Sequence, residues 1–542
     1  MDDDARVASV KELTHGLLAR HGLTTIFGNP GSNELPFLAG LPPEFRYVLG
    51  LHEGVVVGMA DGYAQASGRP AFVNLHAASG TGNAMGALTN AVSARTPLVV
   101  TAGQQVRSVV GTEGMLANVD AALLPRPLVG FSAEPACAGD VPRTMAQAIF
   151  EAQHGRRGPV YVSVPYDDWS APAPPGAQHV LARDVETGGH PSPAQVDRFA
   201  DALRGAARPA LVLGGDLDGR VPPGRLVSLA DRLDATVWAA PSLFRLPYPN
   251  RHRRFAGVLP AGIASVSARL AGHDLVLVLG APVFRYHQHE PGEYLAAGTC
   301  LVQVTHDAGA ATRPPVGEAL IADPAAVVDA LVDALAAGPD ADLSDDAAFV
   351  PCAPVRAAAP GQPLAPAEVV ATLRRSLPHD TAYVVESTST NADFWAQSDL
   401  RAPGSYYFPA SGGLGFGMPA AVGVALAHRD AGLDRPVVGL IGDGSLHYGV
   451  TALWSAARLD VPVTFVVLRN GGYGALAWFA ELLGVPDAPG IDLPGIDAVD
   501  IARGYGVPGR AVATAAELAD LLAEPARGPR LVEVPTAASR PQ

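Results

Sequence analysis

Three cysteines in 542 residues, Cys137, Cys300 and Cys352, lie far apart and in no metal-ligand spacing. That excludes a disulfide framework and a cysteine-based zinc site. Positive charge is scarce too: 38 Lys plus Arg stand against 53 Asp plus Glu, a formal net charge of -15. Such a chain has no basic excess with which to displace counterions from a phosphate backbone, so no nucleic-acid partner is expected. No apolar run approaches the length of a bilayer span, and the opening MDDDARVASV is acidic where a secretory leader is basic and then apolar. The expectation is a soluble, cytoplasmic protein with no membrane partner. A dinucleotide fingerprint is also missing. Glycine-rich loops are expected at Gly28-Asn-Pro-Gly31, Ser79-Gly-Thr-Gly82, Gly214-Gly215 and Gly412-Gly-Leu-Gly415. Of these, Ser79–Gly82 runs on to Gly86 with the wrong spacing, and no acid follows about twenty positions on at a strand end, as ribose recognition requires.

What is present is apolar: 48% hydrophobic residues against 17% charged, the balance of a well-buried globular protein. The length is too great for one core and predicts two to four domains. Val10, Leu13, Leu17 and Leu18 mark a helical face that Gly22 closes, and Thr24 to Phe27 follow as a strand. The same opening recurs with a capping box at Ser192, Pro193 and Gln195 before the strand Pro209 to Leu213, and again with a helix from Pro366 to Ser376 before the strand Ala382 to Val385. Linker-like stretches rich in Pro, Ala, Gly and acid separate them, Ser170 to Pro193 and Gly338 to Pro366. Three α/β domains are therefore expected, over residues 1–180, 190–340 and 362–542, each a doubly wound parallel sheet. Further strands are expected at Val160 to Val164, Thr236 to Trp238, Leu275 to Leu279, Cys300 to Val304 and Leu531 to Val534. A helix from Pro324 is stopped by Gly338, and a capping box is expected at Thr514 to Glu517.

The stretch Val437 to Tyr473 reads as one βαβ unit whose polar residues gather at the carboxyl ends of both strands, where open parallel sheets bind ligands. A lone Gly-Asp-Gly is no more than a turn. With Asn470 at the end of the next strand, Asp443 gains an oxygen partner beside it. Small residues at Gly442, Gly444, Gly471 and Gly472 let a ligand come close. Two oxygens on rigid strand ends suit Mg2+, which takes few protein ligands and completes its octahedron with water and phosphate. The helix after Asp443 would aim N–H groups at that phosphate. The implied ligand is a magnesium diphosphate. A second acidic candidate, Glu53, closes the expected strand Tyr47 to Leu51 ahead of a helix Gly54 to Ala66. The apolar run around it favours a protonated carboxyl able to share its proton with a heterocycle nitrogen.

Gly-Asp-Gly closing near Asn470 resembles the diphosphate motif of thiamine diphosphate enzymes, with Arg469 where the family has the first of two asparagines. The resemblance implies Asp443, Asn470 and the carbonyl of Gly472 as magnesium ligands. The block His52 to Ala64 is similar to the family's pyrimidine-binding domain, where the matching Glu bonds the aminopyrimidine and helps generate the ylid, whose adduct then holds a carbanion-enamine. The similarity runs from about Val7 to Val534 and is nearest to the benzoylformate decarboxylase branch, through GNPGSNELPFL, GTGNAMGAL, APVFRYHQ (Ala281 to Gln288), ESTST, GGLGF and YGAL. It implies non-oxidative decarboxylation of an aryl 2-oxo acid, benzoylformate above all, with thiamine diphosphate and Mg2+. Ser32 would hold the substrate carboxylate, and His76 and His287 would move protons. Leu414 would prop the bent cofactor, and the Gly412 carbonyl would accept from its amino group. Thr388, Ser389, Gly442, Gly444, Ser445 and Tyr473 would complete the cofactor site. Leu116, Thr388, Phe408, Ala475, Leu476 and Phe479 would line an apolar substrate cavity. Leu446 and His447 stand where the branch has smaller or neutral polar residues. A homotetramer, a dimer of dimers with active sites between chains, is implied. The alternatives are a carboligase of the acetolactate synthase or benzaldehyde lyase kind, which gives the carbanion to an aldehyde instead of a proton, and a non-catalytic paralogue.

Overall fold

A computed structural model describes residues 8–538 apart from 288, 336–338 and 345. Val7, Gln288 and the helix stop Gly338 lie outside the described residues. Three six-stranded sheets, every paired strand parallel, follow one another along the chain. The first holds β1 (Thr25–Gly28), β2 (Arg46–Leu49), β3 (Ala71–Leu75), β4 (Leu98–Gln104), β5 (Phe131–Ala133) and β6 (Val160–Pro165), in the order β2-β1-β3-β4-β6-β5. The second holds β7 (Pro209–Leu213), β8 (Thr236–Ala239), β9 (Phe255–Val258), β10 (Leu275–Leu279), β11 (Cys300–Thr305) and β12 (Glu318–Ile321), in the order β12-β11-β10-β7-β8-β9. The third holds β13 (Ala382–Glu386), β14 (Tyr406–Tyr407), β15 (Val437–Gly442), β16 (Val463–Arg469), β17 (Gly509–Ala511) and β18 (Arg530–Pro535), in the order β14-β13-β15-β16-β18-β17. The first and third orders are the same permutation.

Local signals are realised where expected. Ser192 with Gln195 and Thr514 with Glu517 both form reciprocal capping boxes. Gly22 takes the left-handed φ of 69° beyond the first helix. Three expectations shift. Ser79–Gly82 is no loop but lies in the helix Ala77–Ser93, because that helix packs against the helix Glu53–Ser67 and tertiary contact outweighs glycine's poor propensity. The strand before Glu53 stops at Leu49, and Glu53 is the first residue of its helix. The segment after Asp443 breaks into a single turn, Asp443–Leu446, and a separate helix, Ala452–Leu459.

In the middle sheet the strand order reverses between β7 and β10, the place where such sheets accept nucleotides. Here protein fills that crevice. A Cβ on Gly214 would overlap the Gly280 carbonyl, the Phe244 ring covers Gly215, and Asp216 is paired with Arg95 from the first domain. Buried Arg245 joins all three domains. It donates to Asp218 (2.6 Å) and to the Gln65 carbonyl (2.6 Å), and lies over the Tyr407 ring. Removing one partner of such a buried pair costs about 3 to 5 kcal/mol, since the other charge is left alone. Among the described residues no helix is long and apolar enough to cross a membrane.

One hydrophobic core runs through the first and third domains, and its centre is the crossing of helix Glu53–Ser67 with helix Gly417–Asp430. The two backbones touch. A Cβ on Gly62 would overlap the Ala420 main chain, and one on Gly423 would overlap the Met59 carbonyl. Gly423→Ala is therefore expected to lower stability by about 1 to 3 kcal/mol, read as a fall in the thermal midpoint. Gly86→Ala meets open space in mid-helix and is expected to raise it by up to about 1 kcal/mol. Equal midpoints for parent and Gly423→Ala would contradict the crossing.

Candidate active site

In the third sheet the order reverses between β13 and β15, and a cavity of about 280 Å3 lies at their carboxyl ends. Twelve residues expected at the site line it: Thr388, Ser389, Leu414, Gly442, Asp443, Gly444, Ser445, Asn470, Gly472, Tyr473, Ala475 and Leu476. Parallel pairing of Gly442 with Leu468 brings Asp443 and Asn470 to neighbouring strand ends. Asp443 is 3% exposed; its Oδ2 accepts from the Gly471 N–H (2.7 Å) and its Oδ1 from the Gly444 N–H (2.9 Å). Asn470 Oδ1 accepts from the Gly472 N–H at 3.1 Å. The bond from Gly471 clasps the two turns to each other, the other two tighten each turn on itself, and Gly471 turns through a φ of 79°. A Cβ on Gly444 would overlap the Tyr473 ring, so the wall there admits hydrogen alone. Among the described residues no three His, Cys, Asp or Glu side chains gather to hold a metal. One carboxylate, one amide oxygen and one main-chain carbonyl instead suit a hard cation that takes its remaining oxygens from a phosphate and water.

The departures near this site turn away from it. Arg469 Nε donates to Glu533 on β18 (2.8 Å), on the opposite side of the strand from its neighbours in sequence. Leu446 is fully buried in the core and His447 is exposed; neither lines the cavity. Tyr448, Ser387, Thr390 and Thr536 do line it and were missed, the last because only the β16–β18 pairing brings it there.

The second group of expected residues assembles at the equivalent reversal of the first sheet, between β1 and β3. Glu53 is 7% exposed, and its carboxylate meets amides instead of the apolar side chains expected: Asn83 Nδ2 donates to Oε2 (3.0 Å) and Asn29 Nδ2 to Oε1 (3.4 Å). A Cβ on Gly80 would press on both Glu53 (3.2 Å) and His76 (3.4 Å). His76 caps the helix Ala77–Ser93 from the end of β3, and its Nδ1 lies 2.8 Å from Oε2 of Glu34. Glu34 is 1% exposed and accepts from the N–H groups of Gly31 (2.8 Å) and Gly103 (2.8 Å). Glu34, already accepting from main-chain donors, fixes the orientation of the His76 ring through Nδ1 and leaves Nε2 outside that contact. Ser32 Oγ donates to Asn33 (3.3 Å), whose amide reaches the Leu116 carbonyl (3.5 Å). Glu34, Asn29 and Asn83 went unread, since each acts across the fold on residues more than twenty positions away.

Among the described residues no hydrogen bond or ring contact joins Glu53, His76 or Ser32 to the cavity of the third domain. The middle domain comes close beside it: the His287 ring meets Phe479 edge to face at 5.0 Å, on the helix that carries the lining residues Ala475 and Leu476, although Phe479, His287 and Leu116 do not themselves line the cavity. Phe408 does not line the cavity. It stacks on Tyr406 (6.1 Å) and is tied by its N–H to the Phe244 carbonyl, against the core at the sheet edge. Gly412 also lies outside the lining, on the turn that leads to Leu414. Beneath that turn, Glu386 ends β13 fully buried and accepts from the N–H groups of Gly415 (2.6 Å), Gly417 (2.7 Å) and Phe416 (3.3 Å). Burial outweighs the opposing pull of the three donors and leaves its carboxyl raised to about 7.

The chain matches the thiamine pyrophosphate enzyme families over all three sheets: the N-terminal binding domain at residues 9–124, the central domain at 196–331 and the C-terminal binding domain at 388–534. It is 56% identical to a benzoylformate decarboxylase of Pseudomonas aeruginosa, over 98% of this chain and all of that one. A putative acetolactate synthase large subunit of Mycobacterium tuberculosis is 32% identical over 95% of this chain and 96% of its own. Among solved structures, a thiamine diphosphate-dependent 4-hydroxybenzoylformate decarboxylase of Rhodococcus jostii superposes with a TM-score of 0.93 at 53% identity, covering 98% of this chain and 99% of that one. A benzoylformate decarboxylase of Polynucleobacter necessarius does so with 0.91 at 37% identity, again covering 98% and 99%.

Glu386 gives the site a pH dependence. Its proton is held more tightly in the folded chain, at about 7, than at the ordinary 4.5. Its contribution to stability is therefore full below about 4.5 and lost as pH rises through about 7. Glu386→Gln carries no such titration, so the midpoint of the parent minus that of the variant is expected to shrink between pH 5 and pH 8. A difference that widens with pH would contradict the assignment.

Proposed function

The chain belongs to the thiamine pyrophosphate enzymes, and we propose that it decarboxylates an aryl 2-oxo acid, benzoylformate foremost, to the aldehyde and CO2. The near full-length likeness to benzoylformate decarboxylase carries this reading, and the residues gathered at the two sheet reversals support it. When bound, thiamine diphosphate supplies the nucleophilic carbon and the electron sink. Asp443, Asn470 and the Gly472 carbonyl would hold Mg2+, and Thr388, Ser389, Gly442, Gly444, Ser445 and Tyr473 would enclose the diphosphate. Leu414 would support the cofactor, and the Gly412 carbonyl would be available to its amino group. Glu53, its carboxylate oriented by Asn29 and Asn83, would share a proton with the pyrimidine ring.

Ser32 binds the substrate carboxylate. His76, steadied through Nδ1 by Glu34, delivers the proton that replaces CO2, and His287 handles protons on the Phe479 side. A fixed proton donor is what separates decarboxylation from carboligation, in which an aldehyde must reach the same carbon first. Leu116, Thr388, Ala475, Leu476 and Phe479 form the wall for the phenyl ring. Phe408 is withdrawn from that set by its packing. We further read the active unit as a homotetramer, a dimer of dimers. The two halves of the site stay apart in one chain, and Met115, Leu116 and Leu476 expose apolar surface beside them, which supports completion by a second copy.

Two experiments test the assignment. Asp443→Ala is expected to lose magnesium-dependent retention of thiamine diphosphate. Glu53→Gln is expected to retain the cofactor but exchange its C2 hydrogen at least about a hundredfold more slowly, the scale of acid–base assistance. Retention by the first variant or parental exchange by the second would refute the roles. For the substrate, a phenyl ring buries on the order of 100 Å2 more apolar surface than a methyl, about 2 to 3 kcal/mol. Benzoylformate is thus expected to exceed pyruvate by about two orders of magnitude in kcat/KM, and Ala475→Ile to erode the preference. A parent that turns over both equally would refute the aryl specificity.

A further inference from the structure

Arg285 stands two residues before His287 and spends its side chain on neither a carboxylate nor its own domain. Its Nη1 donates to the Ala410 carbonyl in the third domain (2.6 Å) and its Nη2 to the Ser93 carbonyl in the first (3.2 Å). Among the described residues it forms no ion pair. Burial and the neighbouring Arg95 push its pKa down, with Asp216 opposing them. A half-buried cation without a carboxylate partner needs a reason, and the two carbonyls supply it. Ser93 is the last residue of the helix that begins beside His76, where carbonyls lack intrahelical partners and the helix dipole is negative. The preceding carbonyls of Asn90, Ala91 and Val92 are taken by the N–H groups of Ala94, Thr96 and Arg95. The Ser93 carbonyl goes to Arg285.

Ala410 opens the turn that carries Gly412 and Leu414. The same helix grips that turn a second time: Asn90 accepts from the Ser411 N–H (3.0 Å) and donates to the Gly413 carbonyl (2.9 Å). One guanidinium therefore meets three things at once: the His287 segment, the far end of the His76 helix, and the turn whose Leu414 lines the cavity. We propose that Arg285 is a positioning residue, holding the His287 segment and the Gly412–Leu414 turn in register on the end of the His76 helix. The inference rests on the reading of those residues as the proton-moving and cofactor-supporting groups.

The test uses full-length Arg285→Met and Arg285→Lys proteins. In cofactor-free protein, amide hydrogen exchange of residues 409–415 is expected to quicken about tenfold in Arg285→Met while the remaining core strands exchange as in the parent. Thiamine diphosphate titrated with Mg2+ should bind the Met variant about tenfold more weakly. Its kcat on benzoylformate should fall by at least about tenfold, with KM changed by less than about threefold, the split expected when alignment and not substrate binding is lost. Arg285→Lys, which keeps the charge but reaches one carbonyl, should recover part of all three losses. Parental exchange at 409–415 together with parental kcat in Arg285→Met overturns the proposal. So does exchange that quickens equally throughout the protein in both variants, which marks a purely structural cation. If Arg285→Met does not fold, the Lys variant decides alone: local quickening at 409–415 supports the role and its absence rejects it. If the parent itself releases no CO2, the functional reading fails, yet exchange and cofactor titration still decide the role of Arg285.

Discussion

Two helices cross with their backbones in contact, and the geometry of the site follows from that crossing. Gly62 and Gly423 leave nothing between the helix Glu53–Ser67 and the helix Gly417–Asp430. The first helix starts with Glu53. The second starts at the turn bearing Gly412 and Leu414, pinned from below by Glu386. A methyl at either glycine would push the helices apart, and each helix start would move with them. Interiors are packed too densely to absorb such a shift locally.

The identical strand orders of the first and third sheets explain how the chemistry is divided. Each sheet presents one reversal, and each reversal carries half of the machinery. The third holds the oxygens of Asp443 and Asn470 beside a cavity, and the first holds a carboxylate, a histidine and a serine, which on the proposed function serve the metal diphosphate and the proton steps respectively. The middle sheet has another order, and its own reversal is filled by Arg95, Asp216 and Phe244. It contributes through the segment that carries Arg285 and His287, which leans on both neighbours.

What could be read from the sequence was whatever acts within a few residues. Capping boxes, the βαβ unit and the Asp443–Asn470 pair each combine a local spacing with a strand direction, and parallel pairing does the rest. The edge strands β5, β14 and β17, with three, two and three residues, are too short to leave a pattern. Glu34 illustrates the harder loss: it sits four residues from the sequence-visible turn at Pro30, but its partners His76 and Gly103 arrive from two other strands. Asn29 and Asn83 likewise take their meaning from Glu53. Phe408 misled in the opposite sense, because an aromatic suited to a substrate wall is equally suited to stack on Tyr406. Arg469, which departs from the family pattern, is explained by the strand pleat that turns it toward Glu533.

On the proposed function, a proton delivered by a carboxylate-steadied histidine, and no second aldehyde, captures the carbon left by CO2. The most direct measurement is the product balance from 13C-labelled benzoylformate, followed by NMR with thiamine diphosphate and Mg2+ present. Benzaldehyde equal in amount to the CO2 released is the predicted result. CO2 accompanied by a 2-hydroxy ketone in place of the aldehyde, or no CO2 at all, would contradict it.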